Sequence, residues 1–387
     1  MSREHYTTMD SNTTTNKPQR LQSLDILRGF DMACLVLIQP ILYHYLEIAA
    51  PADDTFGAFL NSQVTHVEWI GFSFWDIIMP LFMFMSGITI PFAFSRQKRE
   101  GADSTFYRRL LKRFLILWGV GMVVQGNLLS LDWHQFKLFS NTLQSIAVGY
   151  VVTALLFVLT SKRTQIAVVA ACFIGYIAVF AIWGDMDFSM GHNIADTIDM
   201  AVLGVFRDGM NWDGTSWNFN GTYNYTWVLS SLNFIVTVYL GCWAGYILKS
   251  GDTQQQKLRK LCIMGTILIV AALAMSPILP IIKRIWSSSM TLFAGGICFL
   301  LMALFFYIID MRGWTKGTQW LKYYGMNSLA AYFLGEYMNF RSISGSLFYG
   351  LEQYLGDFYP VVGTTVNVGV VYLIIRWMYK QGIFIKA

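Results

Sequence analysis

The sequence predicts an all-α polytopic membrane protein, a bundle of about ten transmembrane helices with both termini cytoplasmic. Three observations predict it. Of 387 residues, 55% are hydrophobic and 13% are charged, too few charges to coat a soluble globule of this size. The apolar residues gather into ten runs, roughly 24–47, 69–95, 110–127, 142–160, 165–184, 226–248, 261–282, 286–309, 322–340 and 360–379. A helix of about 20 residues crosses a bilayer core, and the short alternating segments of a barrel do not occur. An even number of crossings returns the chain to one side, and the basic residues choose that side: 23 of the 28 lysines and arginines fall on it if the termini are cytoplasmic. Lys137, Arg207, Lys283, Arg284 and Arg341 fall on the other.

In chain order, residues 1–22 form a polar leader without the apolar core of a cleavable signal, expected to be disordered. Residues 23–387 read as a single transmembrane domain. The first run opens with Asp25 and Arg28 and is broken at Pro40. The second contains one carboxylate, Asp76, in a run long enough to span, and intramembrane carboxylates are usually functional. Pro80 lies four residues on and removes the amide that the Asp76 carbonyl would accept, which predicts a kink there. Ser86-Gly87 allows close helix contact. His66 precedes this run on the outer side, about 15 Å from Asp76 if the stretch is one helix. The third run begins in a cluster of seven basic residues from Arg96 to Arg113, including Arg108, Arg109, Lys112 and Arg113. Such a cluster suits the phosphates of a nucleotide or anionic lipid. An outer insert at about 185–225 interleaves Asp185, Asp187, Asp196, Asp199, Asp208 and Asp213 with Trp212, Trp217, Tyr223 and Tyr225. That mixture offers hydroxyl and ammonium acceptors beside flat aromatic faces, as sugar-binding surfaces do, and also occurs in interfacial belts. The ninth run is interrupted by Lys322, Asn327 and Glu336.

Several chemistries find no support. The five cysteines lie singly within apolar runs, without CxxC or Cys/His spacing, so no metal site is expected. No GxGxxG or GKS/GKT stretch occurs, and the net charge of +5 is mostly an orientation signal, so no nucleic acid partner is expected. Neither does the chain show paired broken helices of the kind that mark inverted-repeat transporters.

Blocks in fixed order carry a resemblance. SLDILRGFDMA at Ser23 to Ala33, the stretch from His66, TLQSIAVGY at Thr142 to Tyr150, Val228 to Gly245, PIIKRIWSSSMTLFAGG at Pro280 to Gly296 and GMNSLAAYFLGEY at Gly325 to Tyr337 together resemble the heparan-α-glucosaminide N-acetyltransferase family of transmembrane acyltransferases. The resemblance implies transfer of an acetyl group from cytosolic acetyl-CoA to the amine of a terminal glucosamine or related glycan on the far side. It implies an integral protein of a bacterial inner membrane, in contact with lipid and without metal, and homodimerisation is expected from the resemblance alone. His66 matches the family's catalytic histidine, and Gln39 falls where the family carries an asparagine. Arg28 and Asp25 match its charged pair at the inner mouth, and Lys283 and Trp286 its Lys and Trp at the outer start of the eighth helix. With Asn327 and Asp76 they are expected at the substrate path, Asp76 as a pore-lining or helix-positioning group. Arg28, with Asp25 and the basic cluster of Arg108, Arg109, Lys112 and Arg113, is expected to hold the CoA head.

Three positions depart from the family. Ser145 stands where an arginine is usual, Asn224-Tyr-Thr-Trp replaces an Asp-Pro-Glu-Gly stretch, and the large luminal N-terminal domain of the human member is expected to be absent, as in bacterial-type relatives. Thioester aminolysis needs a base for the amine and a donor for the oxyanion, roles that suit His66 and the Gln39 amide. Two other readings compete: O-acetylation of a cell-envelope polysaccharide, and a proton-coupled transporter using Asp76, Glu336 and His66.

Overall fold

The computed structural model describes residues 21–49, 55–219 and 225–385. The leader lies outside them up to residue 20, as do Tyr223 and Asn224. Ten long helical segments follow one another: α1 (Gln22–Ala49), α2 (Phe74–Ala93), α3 (Ser104–Val124), α4 (Thr142–Leu159), α5 (Lys162–Trp183), α6 (Ser230–Lys249), α7 (Gln254–Met275), α8 (Ser288–Met311), α9 (319–336) and α10 (Tyr359–Lys380). Among the described residues, eight stretches are long and apolar enough to cross a membrane, so the protein is an all-α polytopic membrane protein. α3 and α9 fall outside that set. Four cations crowd the first half of α3, and α9 is broken at Asn327 into Gln319–Met326 and Ser328–Glu336.

α2 and α6 form the centre, and small residues let their backbones touch. A Cβ added to Gly87 would stand 1.9 Å from the Val238 carbonyl oxygen, and one on Gly241 would stand 1.9 Å from that of Phe84. α5 and α7 are apolar yet mostly exposed, as helices facing lipid must be. Overpacking a backbone contact costs several kcal/mol because no side chain can yield. Gly241→Val is therefore expected to lower the thermal unfolding temperature of detergent-solubilised protein by at least about 5 °C. Gly119→Val, with nothing within 4 Å of its added carbon, should leave it unchanged.

Two helix irregularities shape the site. In α1, Cys34–Ile38 forms a π turn, with the Gln39 amide donating to the carbonyl of Cys34. Pro40 explains it: the ring has no N–H to give the Val36 carbonyl and crowds it, so the turn widens just before the proline. The second irregularity lies where the sequence predicts one kinked helix. The run 69–95 is not one kinked helix; residues 65–73 are irregular and α2 starts at Phe74 with a 3₁₀ turn, Phe74–Ile77. Pro80 sits in the first turn of the α-helical part, Ile78–Ala93, where a missing N–H costs little. Asp76 accordingly stands at the helix N-terminus, not in its middle.

The outer insert holds a short helix, Ile194–Leu203, and the one sheet among the described residues, a hairpin of β1 (Met210–Trp212) and β2 (Trp217–Phe219).

Candidate active site

Ser73, Asp76 and the irregular stretch before them build the centre of the site. Ser73 and Asp76 make a capping box: the Ser73 amide donates to Asp76 Oδ2 at 3.0 Å, and the Ser73 hydroxyl lies 3.0 Å from the same oxygen. The amide of Val67 approaches Oδ2 at 3.4 Å. The other carboxylate oxygen meets His66, with Nδ1 to Oδ1 at 2.8 Å. His66 and Asp76 are therefore in contact, not 15 Å apart, because the chain between them loops back instead of running along a helix axis.

A third residue joins them from far along the chain. The segment before α2 pairs with the turn before α8: Ile70 bridges Ile282, and the Gly71 amide donates to Ile281 at 2.9 Å. That turn is fixed from several sides. Trp286 adopts a left-handed φ of 50°, Asn233 Nδ2 donates to its carbonyl at 2.8 Å, and its indole donates to Thr237 Oγ1 at 3.1 Å. Ser287 accepts the Ile282 amide at 3.1 Å. So held, the turn brings Lys283 Nζ to 3.2 Å from Asp76 Oδ1 and 3.1 Å from His66 Nδ1.

Two groups meet Nδ1, and the shorter contact, with Asp76, sets the tautomer, because Lys283 has Asp76 Oδ1 to donate to as well. An unprotonated Nδ1 would put a lone pair against a carboxylate at 2.8 Å, so Nδ1 carries the proton and Nε2 keeps the lone pair. Burial lowers the pKa of His66, with Lys283 and Arg284 pulling the same way and the bond to Asp76 opposing them. The imidazole is thus a neutral base at neutral pH. Burial likewise lowers Lys283, to about 8, against the attraction of Asp76.

A cavity of about 850 Å³ adjoins His66 and Lys283. Its α2 wall runs from Trp75 to Ala93, eighteen positions and so about 27 Å of helix. Met32, Leu35, Phe82, Leu117 and Ile146 make much of it apolar. Arg28 and Arg113 line it as well. The Arg113 guanidinium lies 3.9 Å over the Tyr150 ring, which meets Phe94 just past the end of α2, so this arginine marks the end opposite His66. Gln39, carried one residue past the π turn, also lines the cavity.

Not every expected residue reaches it. Arg108, Arg109 and Lys112 are exposed and do not line the cavity, because a helix can turn only every third or fourth position toward one neighbour. Asp25 lies 4.0 Å from Arg28 without lining the cavity. Asp76 is enclosed by its partners instead of lining a pore, and Trp286 is buried in the turn it stabilises. Asn327 ties down the C-terminal segment, donating to the Ile383 carbonyl at 3.1 Å and accepting the Ile385 amide at 3.2 Å. Asp208, Tyr225, Trp227, Tyr332 and Glu336 line the cavity too; the sequence offers Asp208 and Tyr225 within the sugar-binding or interfacial insert and Glu336 in the transporter reading, and singles out neither Trp227 nor Tyr332.

The family model described as heparan-alpha-glucosaminide N-acetyltransferase, catalytic, matches residues 20–213, which is half of the chain and includes α1 to α5 with His66 and Asp76. The heparan-alpha-glucosaminide N-acetyltransferase of Homo sapiens is 23% identical over 372 residues, covering 81% of this chain and 52% of that protein. Its counterpart in Mus musculus is 23% identical over 372 residues, covering 83% and 54%. The chain spans about half the length of these curated relatives. With half of its residues matched to the catalytic model, this chain belongs to the heparan-α-glucosaminide N-acetyltransferase catalytic family.

Proposed function

We propose that the protein is an acetyl-CoA-dependent N-acetyltransferase of a bacterial inner membrane, moving acetyl groups from the cytosol to the amine of a terminal glucosamine on the outer side. One observation carries the reading: a single cavity, with about 27 Å of α2 as one wall, is lined by Arg28 and Arg113 and also by His66 and Lys283, which hold Asp76 between them. Two guanidiniums suit the phosphates of a CoA head, and the apolar wall between suits an extended arm. The uneven distribution of lysine and arginine puts the arginine end on the cytosolic side.

Acetyl-CoA supplies an activated acetyl thioester. His66 Nε2 takes the proton of the attacking amine as the new C–N bond forms and the C–S bond breaks, and the departing sulfur receives that proton. Asp76 holds Nδ1–H and stabilises the imidazolium formed in between. The Gln39 amide donates to the oxyanion. Lys283 balances the charge of Asp76 whenever His66 is neutral.

The reading is tested by CoA binding. Purified protein should be thermally stabilised by CoA, and Arg113→Ala should weaken the CoA affinity about 5–30-fold, the loss of one charge-assisted contact worth roughly 1–2 kcal/mol. Arg108→Ala, exposed and away from the cavity, should leave it unchanged. A protein indifferent to CoA that moves a solute in proteoliposomes would point to the transporter instead, and acetylation of a hydroxyl on N-acetylglucosamine to the O-acetyltransferase.

A further inference from the structure

The outer insert contributes six aspartates, and the structure sorts them. Asp187 and Asp213 organise their own turns: Asp187 accepts from the amide and hydroxyl of Ser189, and Asp213 from those of Thr215 and Ser216 and from Asn218. Asp196 pairs with the buried Arg207. Asp199 accepts the amides of Trp227 and Val228 at 2.7 and 2.9 Å, which pins the insert to the start of α6. Asp185 does not line the cavity. Asp208 alone of the six does so, and it lines the same cavity as His66.

Its surroundings suit a cationic ligand. Among the described residues, Asp208 accepts hydrogen bonds from the backbone amides of Tyr225 and Gly209, which leave a carboxylate its charge. The two nearby cations are engaged elsewhere, Lys137 on the Met210 carbonyl and Arg207 on Asp196. Tyr225 and Trp227 line the cavity beside it, with ring centroids 5.7 Å apart. Burial raises Asp208 to about 6 while the amides and the two cations oppose it, so the carboxylate is ionised at neutral pH.

We propose that Asp208, with Tyr225 backed by the buried Trp227, forms an acceptor subsite that binds an amino sugar as its ammonium ion, the carboxylate holding the charge and the Tyr225 ring facing the pyranose. The subsite rests on the acetyl-transfer reading above and deepens it. It divides the work in the cavity: Asp208 selects a cationic amine over a neutral hydroxyl, and His66 removes the proton that the amine must lose before attack. An ammonium on a partly desolvated carboxylate is far better held than a hydroxyl, and aromatic faces meet sugar C–H groups without regard to charge.

The test compares wild type, Asp208→Asn and Asp208→Glu in acetyl transfer to glucosamine, with thermal stabilisation by CoA and by glucosamine measured on each. Asp208→Asn is expected to raise the KM for glucosamine at least about 10-fold with kcat changed less than about 3-fold, a loss of one charge-assisted contact. CoA stabilisation should persist in both variants, reporting an intact fold and donor end, and Asp208→Glu should recover much of the affinity. An unchanged KM in Asp208→Asn overturns the subsite and leaves the transfer reading standing. Glucosamine stabilisation without turnover in wild type, lost in Asp208→Asn, supports the subsite and overturns the transfer reading. Wild type that neither binds nor acetylates glucosamine overturns both.

Discussion

Replacing His66 with alanine is expected to reduce acetyl transfer by about 10³-fold or more while CoA still stabilises the protein. The size follows from the chemistry: an ammonium cannot attack a thioester, and among the described residues His66 alone presents a neutral ring nitrogen to the cavity beside an enclosed carboxylate. The variant should fold, because Asp76 keeps its bonds from Ser73 and its ion pair with Lys283. Initial rates with labelled acetyl-CoA and glucosamine, set beside CoA-induced thermal shifts, check both halves. Wild-type rates in this variant would remove the base from the mechanism.

Asp76→Asn should be nearly as severe, lowering kcat about 10²–10⁴-fold. The reason lies in how its two oxygens are used. Oδ2 accepts from Ser73, and Oδ1 accepts from His66 and Lys283. An asparagine must turn its NH₂ toward one set. Facing Ser73, it meets a donor with a donor. Facing His66, it offers Nδ1 a proton, which drives the ring's own proton to Nε2, where the lone pair is needed. Either arrangement also leaves Lys283 buried without a counter-charge. The same groups set the pH dependence of the wild type. His66 is lowered, so its base form persists and the rate should fall only as pH drops through a value below the ordinary 6.5. Lys283 loses its charge above about 8, which removes the partner of Asp76 and sets the alkaline limb. A pH–rate profile of kcat at saturating glucosamine, which keeps Asp208 and the free amine out of the profile, measures both limbs, and an acid limb above 6.5 would contradict the burial of His66.

Much of the architecture was readable from hydropathy, because a bilayer leaves so few options to an apolar run of 20 residues. The close approach at Gly87 was readable from its small neighbours. Asp76 was misplaced for a physical reason: the apolar run continues on both sides of the helix start, so composition hides the boundary. The signal that marks it is Ser73-Phe-Trp-Asp76, a capping box with Gly71 just before, and turn chemistry outranks hydropathy there. Lys283 lies 217 residues from His66, and no local pattern predicts their contact. It comes from the pairing of Ile70 with Ile282 and from the left-handed Trp286. The basic run at Arg108 to Arg113 illustrates a third limit. Its charge is visible in sequence, but the helix turns only Arg113 of these to the cavity. In the outer insert, six aspartates look alike in sequence, and only the folded turn separates Asp208 from those that hold the loop together.

The proposed transfer runs through one cavity, from the arginine end to the histidine end, across the membrane. It is tested most directly in sealed proteoliposomes, with labelled acetyl-CoA outside and glucosamine trapped within. Labelled N-acetylglucosamine should accumulate inside with wild-type protein and should not with His66→Ala. Product formed only when both substrates share one side, or formed equally by the two proteins, would contradict the account.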